Sequence, residues 1–213
     1  MICGIDEAGK GSVLGPMVIG GVAGESLEEF EKKGFADSKT LSHRRREQLY
    51  DEIKAEFKTT TVVLSAAMID ELRTSMTMND IVARSHARAI LDLMPDKAYV
   101  DACDVNEERY AVTLSGYLKN GITVVSRHKA DDLYAVVGAA SIIAKVTRDR
   151  LIEDLKSEWG EIGSGYPSDP DTIAFLKNYI AEKREPPPIA RMSWKTISNM
   201  MSEQNQKKLF DFR

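Results

Sequence analysis

The chain has 213 residues, of which 43% are hydrophobic and 29% charged, and this composition excludes a disordered or fibrous protein. Its net charge of −4 excludes a protein that holds nucleic acid by bulk positive charge, although a local basic patch is compatible with it. The longest mostly apolar run, residues 13–23, is too short for a membrane-spanning helix, and two cysteines are too few for a disulfide framework, so we expect a cytoplasmic protein without membrane contact.

Three short runs rich in apolar or β-branched residues predict strands in the first third of the chain, at residues 2–6, 17–23 and 59–66. Between the last two, Ser42 can cap a helix that extends to about Phe57. The apolar residues Leu49, Ile53 and Phe57 recur there every four positions, which is typical of one helix face.

Helices and strands alternate in the rest of the chain. Helical patterns cover residues 79–93, about a dozen residues before 122, and 131–159 and 171–183, and further strands are predicted at 98–101 and 122–125. This order predicts an α/β protein with a mixed five-stranded sheet, three antiparallel strands followed by parallel ones, and helices on both faces.

Acidic residues follow two of the predicted strands. Asp6 and Glu7 end the first strand and Asp101 ends the fourth, so parallel neighbours would bring Asp6 and Asp101 about 4.8 Å apart. Such close carboxylates repel each other unless a cation lies between them or one of them is protonated, and oxygen ligands suit Mg²⁺ or Mn²⁺. A third acidic pair, Asp131 and Asp132, strengthens this hypothesis, although a single aspartate after a strand more often begins a turn.

A glycine-rich segment follows the first acidic pair. Residues 4–10 match the first part of a phosphate-binding loop, but Gly11 stands where that motif needs Ser or Thr, and Asp6 and Glu7 would repel a phosphate. We therefore interpret Gly9, Lys10 and Gly11 as a turn that lets a substrate approach the bare backbone.

No catalytic or metal-binding role is expected for the histidines or the cysteines. His43 is expected in solvent, His86 on a helix without an assigned role, and His128 behind the acids. Cys103 is expected near the site, too far from Cys3 along the paired strands for a disulfide.

Six segments in order resemble ribonuclease HII in its archaeal form. They are GIDEAGKG at residues 4–11, DSK at 37–39, YVD at 99–101, HKAD at 128–131, AASIIAKV at 139–146 and GSGY at 163–166. The resemblance extends to Thr196 and thus covers nearly the whole chain. It implies an RNase H-like fold and an endonuclease that cuts RNA in RNA–DNA hybrids, or DNA duplexes at embedded ribonucleotides, leaving 3′-hydroxyl and 5′-phosphate ends.

The same resemblance implies two Mg²⁺ or Mn²⁺ ions and four residues that are both metal ligands and catalytic: Asp6, Glu7, Asp101 and Asp131. Only the alignment of Asp131 ten residues before Ser141 favours it over Asp132.

Substrate-binding residues are also implied. Backbone groups of Gly9, Lys10 and Gly11 would bind the 2′-hydroxyl that distinguishes RNA from DNA, and Tyr166 would stack on the sugar. Many family members carry Arg in place of Lys10. Phosphate contacts are implied for Lys39, Arg46, Ser141 and Lys145. On one continuous helix, Ser141 and Lys145 would share a side with Asp131.

The chain is expected to divide into a catalytic domain at 1–180, a helical extension at 181–205 and a tail at 206–213. The tail resembles peptides that bind the sliding clamp (PCNA), with Gln206 as a polar anchor and Leu209 and Phe212 as an apolar plug. Arg213 departs from that pattern, and a frayed amphipathic tail is the alternative.

Two other functions compete with the hydrolase. One is a non-catalytic module that binds hybrids and is tethered to the clamp, and the other is a nucleotidase built on the imperfect phosphate loop. Nothing in the sequence requires more than a monomer.

Overall fold

The computed structural model describes residues 1–35, 41–118 and 121–211, with side chains as far as residue 204. Its sheet contains five strands: β1 (Ile2–Ala8), β2 (Met17–Gly24), β3 (Lys58–Leu64), β4 (Lys97–Asp101) and β5 (Thr123–Arg127). They lie in the order β3-β2-β1-β4-β5. β1 is antiparallel to β2 and parallel to β4, which is parallel to β5, so the predicted mixed sheet is confirmed.

Nine helices occur in the described residues: α1 (Leu27–Glu31), α2 (His43–Glu56), α3 (Ala66–Arg73), α4 (Met78–Leu93), α5 (Glu107–Ser115), α6 (Ala130–Leu133), α7 (Ala135–Trp159), α8 (Pro170–Lys183) and α9 (Lys195–Asp211). Ser42 caps α2 by accepting from the Arg45 N–H, as expected. α3 was not predicted, because residues 59–66 were interpreted as one strand. Ser65 caps this helix and ends the strand at Leu64. No helix in this part of the chain is both long and apolar enough to cross a membrane.

The chain divides into two compact units. The sheet unit comprises Met1–Ala8, Val18–Val63 and Met76–Arg148, and the helical unit comprises Gly9–Met17, Leu64–Ser75 and Asp149–Arg213. The domain boundaries expected at residues 180 and 205 would divide the chain into consecutive segments. The two observed units are each made of several separate segments and do not test those boundaries, which stay a prediction.

Helices cover both faces of the sheet, as predicted. A Cβ at Gly4 or Gly20 would fall within 3.0 Å of backbone atoms of α7, so glycine is required for α7 to approach β1 and β2. On the other face, a Cβ at Gly21 would meet Ile5 and Leu93, the last residue of α4. One face of β1 therefore meets α7 and the other meets α4.

Each unit has its own core. In the sheet unit, buried α7 residues such as Val136 and Ile143 pack with an aromatic group in which the rings of Phe30 and Phe57 stack at 4.4 Å. The helical unit has a separate cluster, formed by Val13, Leu14, Ile152, Ile162, Leu176, Ala190 and Ile197. Burial of such side chains supplies about 1.5–3 kcal/mol each.

Two predicted element boundaries are wrong in ways that affect the site. β1 continues through Asp6 and Glu7 to Ala8, because these residues keep pairing with β2. The helix expected over 131–159 is broken at Tyr134, whose backbone is extended at φ −129° and ψ 113°. Asp131 therefore belongs to α6 and not to the helix of Ser141 and Lys145, so the expected common helix face does not exist.

Candidate active site

Parallel pairing brings two of the acids together. β1 and β4 pair in parallel as far as Ile5 and Val100, as predicted, and Asp6 and Asp101 are the next residues on the two strands. Asp6 is only 8% exposed. Burial raises the pKa of Asp6 well above its ordinary value, and the negative charges of Glu7 and Asp101 raise it further.

Asp131 joins them from α6. Its neighbour Ala130 donates its backbone N–H to Asp101 Oδ1 at 2.7 Å. Burial raises the pKa of Asp101, the Ala130 bond opposes that shift, and the charges of Glu7 and Asp131 add to it. Asp131 is buried whereas Asp132 is exposed, which favours Asp131 as the fourth acid. We call Asp6, Glu7, Asp101 and Asp131 the acid cluster.

Neighbouring residues on a strand point to opposite faces, so Asp6 and Glu7 are held from different sides. Asp6 lies opposite Gly20 on the α7 face, where the hydroxyl of Ser141 donates to its carboxylate. Glu7 lies on the α4 face, where its Oε2 is 3.0 Å from Nε2 of His86. Ser141, predicted to contact phosphate, thus contacts a member of the acid cluster.

His86 was missed as a site residue. Its side chain is fully buried, and its second ring nitrogen, Nδ1, lies 2.9 Å from the hydroxyl of Tyr110. A signal existed in the sequence, since Val82, His86 and Ile90 share the buried face of α4 at spacings of four residues. A titratable ring on an apolar stripe needs polar partners, and here Glu7 and Tyr110 supply them.

The other histidines lie elsewhere. His43 is exposed, as expected. The His128 ring lies 3.4 Å from the Val105 carbonyl oxygen, and the His128 backbone N–H donates to Glu107. These contacts are not with the acid cluster. Cys3 and Cys103 form no disulfide, as expected.

The acid cluster fits a hard cation by charge and donor type. Asp6 and Asp131 are buried, the charges of Glu7 and Asp101 raise the pKa of Asp6, and Mg²⁺ and Mn²⁺ prefer oxygen ligands. Within the described residues, however, no group of three or more His, Cys, Asp or Glu side chains is arranged so that it could hold a metal ion. The type of ligand atom and the charge therefore fit a divalent cation, whereas the described side chains as they lie do not form a metal-binding geometry.

In the helical unit, residues 9–11 form the glycine turn. Gly9 has φ +83°, a conformation that favours glycine. Its N–H donates to the hydroxyl of Tyr166 at 3.2 Å, and its carbonyl accepts from the Ser12 N–H. The structure thus brings together two of the predicted substrate-binding residues.

A buried arginine that sequence reasoning did not single out holds this turn. The guanidinium of Arg191 donates to the carbonyl oxygens of Gly9 at 2.7 Å, Lys10 at 2.9 Å and Gly15 at 3.1 Å. Its side chain is fully buried and lies 4.9 Å from the ring centre of Trp194. Trp194 thus packs against the residue that holds the turn.

Gly11 differs from Gly9. It is exposed, its φ is not in the left-handed region, and among the described residues a Cβ there would meet no atom within 4 Å apart from its own chain neighbours. The fold therefore does not explain why residue 11 is a glycine.

The predicted phosphate contacts are only partly described. Lys145 is exposed and lies one helical turn after Ser141 on α7, and Arg46 donates to the carbonyl of Leu41. Lys39 lies outside the described residues.

The alternative of a phosphate-binding loop at residues 4–10 is wrong, because Gly4 and the next four residues are part of strand β1 and form no loop.

The chain matches the family model of ribonuclease HII over residues 3–197. It is 56% identical to ribonuclease HII from Methanospirillum hungatei and 58% identical to that from Methanoregula boonei, in both cases over the full length of both chains.

Solved structures agree with the sequence match. The ribonuclease HII chain in its complex with PCNA from Archaeoglobus fulgidus is 48% identical, with a TM-score of 0.87 over 94% of this chain and 96% of that one. Ribonuclease H2 from Pyrococcus horikoshii has a TM-score of 0.89 and 39% identity, covering 96% of this chain and 99% of that one. A Bst-RNase HIII with Mn²⁺, at 19% identity, shares the fold with a TM-score of 0.79. The chain therefore belongs to the ribonuclease HII family, whose members are RNase H endonucleases.

Proposed function

We propose that this chain cuts RNA in RNA–DNA hybrids and incises 5′ of single ribonucleotides in duplex DNA by two-metal-ion catalysis, leaving 3′-hydroxyl and 5′-phosphate ends. The acid cluster carries the proposal, because four carboxylates from β1, β4 and α6 interact electrostatically in one buried region. Several carboxylates held close together are the arrangement that a site for divalent cations requires.

Asp6, Glu7, Asp101 and Asp131 would hold Mg²⁺ or Mn²⁺. When bound, such ions supply Lewis-acid activation of the phosphate and of the attacking water. The protein positions the ligands: the Ser141 hydroxyl donates to Asp6, the Ala130 N–H to Asp101, and the His86 ring contacts Glu7. Lys145, and Arg46 and Lys39 by family resemblance, would bind neighbouring phosphates.

The glycine turn would recognise the ribonucleotide. Gly11 is exposed, and the chain itself does not require a glycine there. A substrate that approaches the backbone closely would require one, because a side chain would block it. Tyr166, which contacts Gly9, would cover the sugar next to the 2′-hydroxyl read by the turn.

Cleavage of a labelled DNA duplex with one ribonucleotide tests this function. With Mg²⁺ or Mn²⁺ we expect one cut 5′ of the ribonucleotide, a 3′ end that a polymerase extends, and no cut in the matched all-DNA duplex. EDTA and Asp6→Asn should each abolish the product.

Two outcomes would contradict the proposal. Undiminished cutting by Asp6→Asn would remove the acid cluster from the chemistry. Tight hybrid binding without turnover, at any concentration of either metal, would favour the non-catalytic module instead.

A second proposal concerns a partner. We infer that the C-terminal segment, with Gln206, Leu209 and Phe212, binds the sliding clamp, because a relative with 48% identity was solved as a complex with PCNA. The side chains of this segment lie outside the described residues. Removal of residues 206–213 should abolish binding to an archaeal clamp while cleavage of a free duplex is unchanged. Phe212→Ala should do the same, whereas Arg213→Ala should bind nearly normally.

A further inference from the structure

The acid cluster contains one ligand candidate whose placement needs an explanation. Glu7 follows Asp6 on β1 and therefore starts toward the opposite face of the sheet, the face covered by α4. A glutamate side chain has three rotatable bonds and many rotamers, so sequence position alone does not fix where its carboxylate lies.

A chain of two buried groups holds that carboxylate. His86 Nε2 lies 3.0 Å from Glu7 Oε2, and His86 Nδ1 lies 2.9 Å from the Tyr110 hydroxyl. The two rings meet edge to face, with centres 6.0 Å apart. The chain runs from β1 through α4 to α5, entirely within the sheet unit.

The hydrogen-bond directions in this chain follow from its chemistry. A carboxylate only accepts, so the bond to Glu7 requires a proton on Nε2 of His86. In the neutral ring Nδ1 is then an acceptor, and the Tyr110 hydroxyl must donate to it. A tyrosine hydroxyl keeps its proton at neutral pH and can therefore donate, and burial and the neighbouring Cys103 raise the pKa of Tyr110 further.

The geometry points to His86 and Tyr110 as positioning residues for Glu7: Tyr110 selects the ring tautomer, and His86 fixes Oε2 so that Oε1 can face a cation. This inference rests on the proposed function, since it assumes that Glu7 is a metal ligand. Groups that orient ligands from behind typically change metal affinity or activity by 10–100-fold when they are replaced.

Three variants separate positioning from simple packing. Tyr110→Phe deletes one hydroxyl and keeps the ring, His86→Leu removes both bonds, and His86→Gln offers an amide N–H near the position of Nε2. Tyr50→Phe is the matched control, because Tyr50 is another buried tyrosine of the sheet unit that belongs to its α2 core.

The first measurement is Mn²⁺ binding to the metal-free protein without nucleic acid, by calorimetry. We expect about 10-fold weaker binding for Tyr110→Phe, a larger loss for His86→Leu, partial rescue by His86→Gln, and no change for Tyr50→Phe. In cleavage assays kcat at limiting metal should fall in the same order, while KM for the duplex stays constant.

Nitrogen NMR of the wild-type protein gives a readout that needs no variant, and the His86 ring should carry its proton on Nε2. A proton on Nδ1 would overturn the inference, as would unchanged Mn²⁺ binding in Tyr110→Phe or an equal loss in Tyr50→Phe. Wild-type protein that binds no Mn²⁺ and cuts nothing would instead refute the proposed function.

Discussion

The acid cluster of the sheet unit and the glycine turn of the helical unit are built on opposite principles. In the acid cluster, like charges are buried together, and the pKa values of Asp6 and Asp101 rise because ionisation there is unfavourable. In the glycine turn, three backbone carbonyls surround the positive charge of Arg191 and satisfy it. In the proposed function the first region takes a cation from outside, whereas the hydrogen bonds of the second are made within the chain.

This comparison teaches where side-chain identity matters. The acid cluster works through charged side chains, so even a neutral substitute of the same shape should abolish its chemistry. The turn presents backbone, so its own side chain at Lys10 should matter little, while the group that holds it should matter greatly. Four substitutions test this contrast.

The largest effect is expected within the acid cluster itself. Asp131→Asn should lower cleavage about 1,000-fold or more, equivalent to about 4 kcal/mol of transition-state stabilisation, because it removes a buried catalytic carboxylate. The adjacent Asp132→Asn, at an exposed position, should stay within about threefold of wild type. Initial rates on a single-ribonucleotide duplex measure both. Equal losses in the two variants would refute the assignment of Asp131.

Loss of the guanidinium should destabilise the helical unit. Arg191→Met leaves three carbonyl oxygens without their charged donor, so we expect a loss of about 3–5 kcal/mol and a fall in Tm of roughly 10 °C. Lys195→Met, at an exposed position nearby, should change stability by about 0.5 kcal/mol or less. Thermal and urea unfolding measure both variants, and an unchanged Tm for Arg191→Met would contradict the role of this residue.

In metal-free protein, Asp6→Asn should increase stability. The folded-state pKa of Asp6 is raised, so the folded protein binds this proton more tightly than the unfolded chain, and stability falls as pH rises through the folded-state pKa. We expect Asp6→Asn to be more stable than wild type by about 1–2 kcal/mol at pH 7, and by less toward pH 4.

Added Mn²⁺ should reverse that order, because wild type binds it and the variant lacks a ligand. Unfolding curves at both pH values, with EDTA or with Mn²⁺, give the comparison. A variant less stable than wild type in EDTA at pH 7 would show that the Asp6 carboxylate is not under electrostatic strain.

The smallest effect on stability is expected at the glycine turn. Gly11→Ala should change the unfolding free energy by about 0.5 kcal/mol or less, because the new Cβ meets no side chain or backbone of another segment in the described part of the chain. Gly9→Ala should cost about 1–2 kcal/mol, because Gly9 has φ +83°. Gly11→Ala should nevertheless raise KM for the ribonucleotide-containing duplex. An unchanged KM would mean that no substrate approaches the turn closely.

Much of this molecule could be predicted from local sequence. Helix caps such as Ser42, the strand pattern and the parallel neighbours Asp6 and Asp101 were all predicted, because they depend on short-range chemistry and strand order. The break at Tyr134 was missed, since the surrounding residues favour a helix and only the extended backbone at Tyr134 interrupts it. The roles of His86 and Arg191 were missed because their partners are distant in sequence.

The sequence by itself determined the residue types that the proposed chemistry uses: four acids near the ends of predicted elements, a glycine turn and a matching order of motifs. Only the tertiary structure decided how they are held. It assigned Glu7 to the His86 and Tyr110 chain, Asp6 to Ser141 and the turn to Arg191. The physical reason is that residue type follows from covalent chemistry, whereas a buried polar group takes whichever partner the packing of distant segments brings within hydrogen-bonding distance.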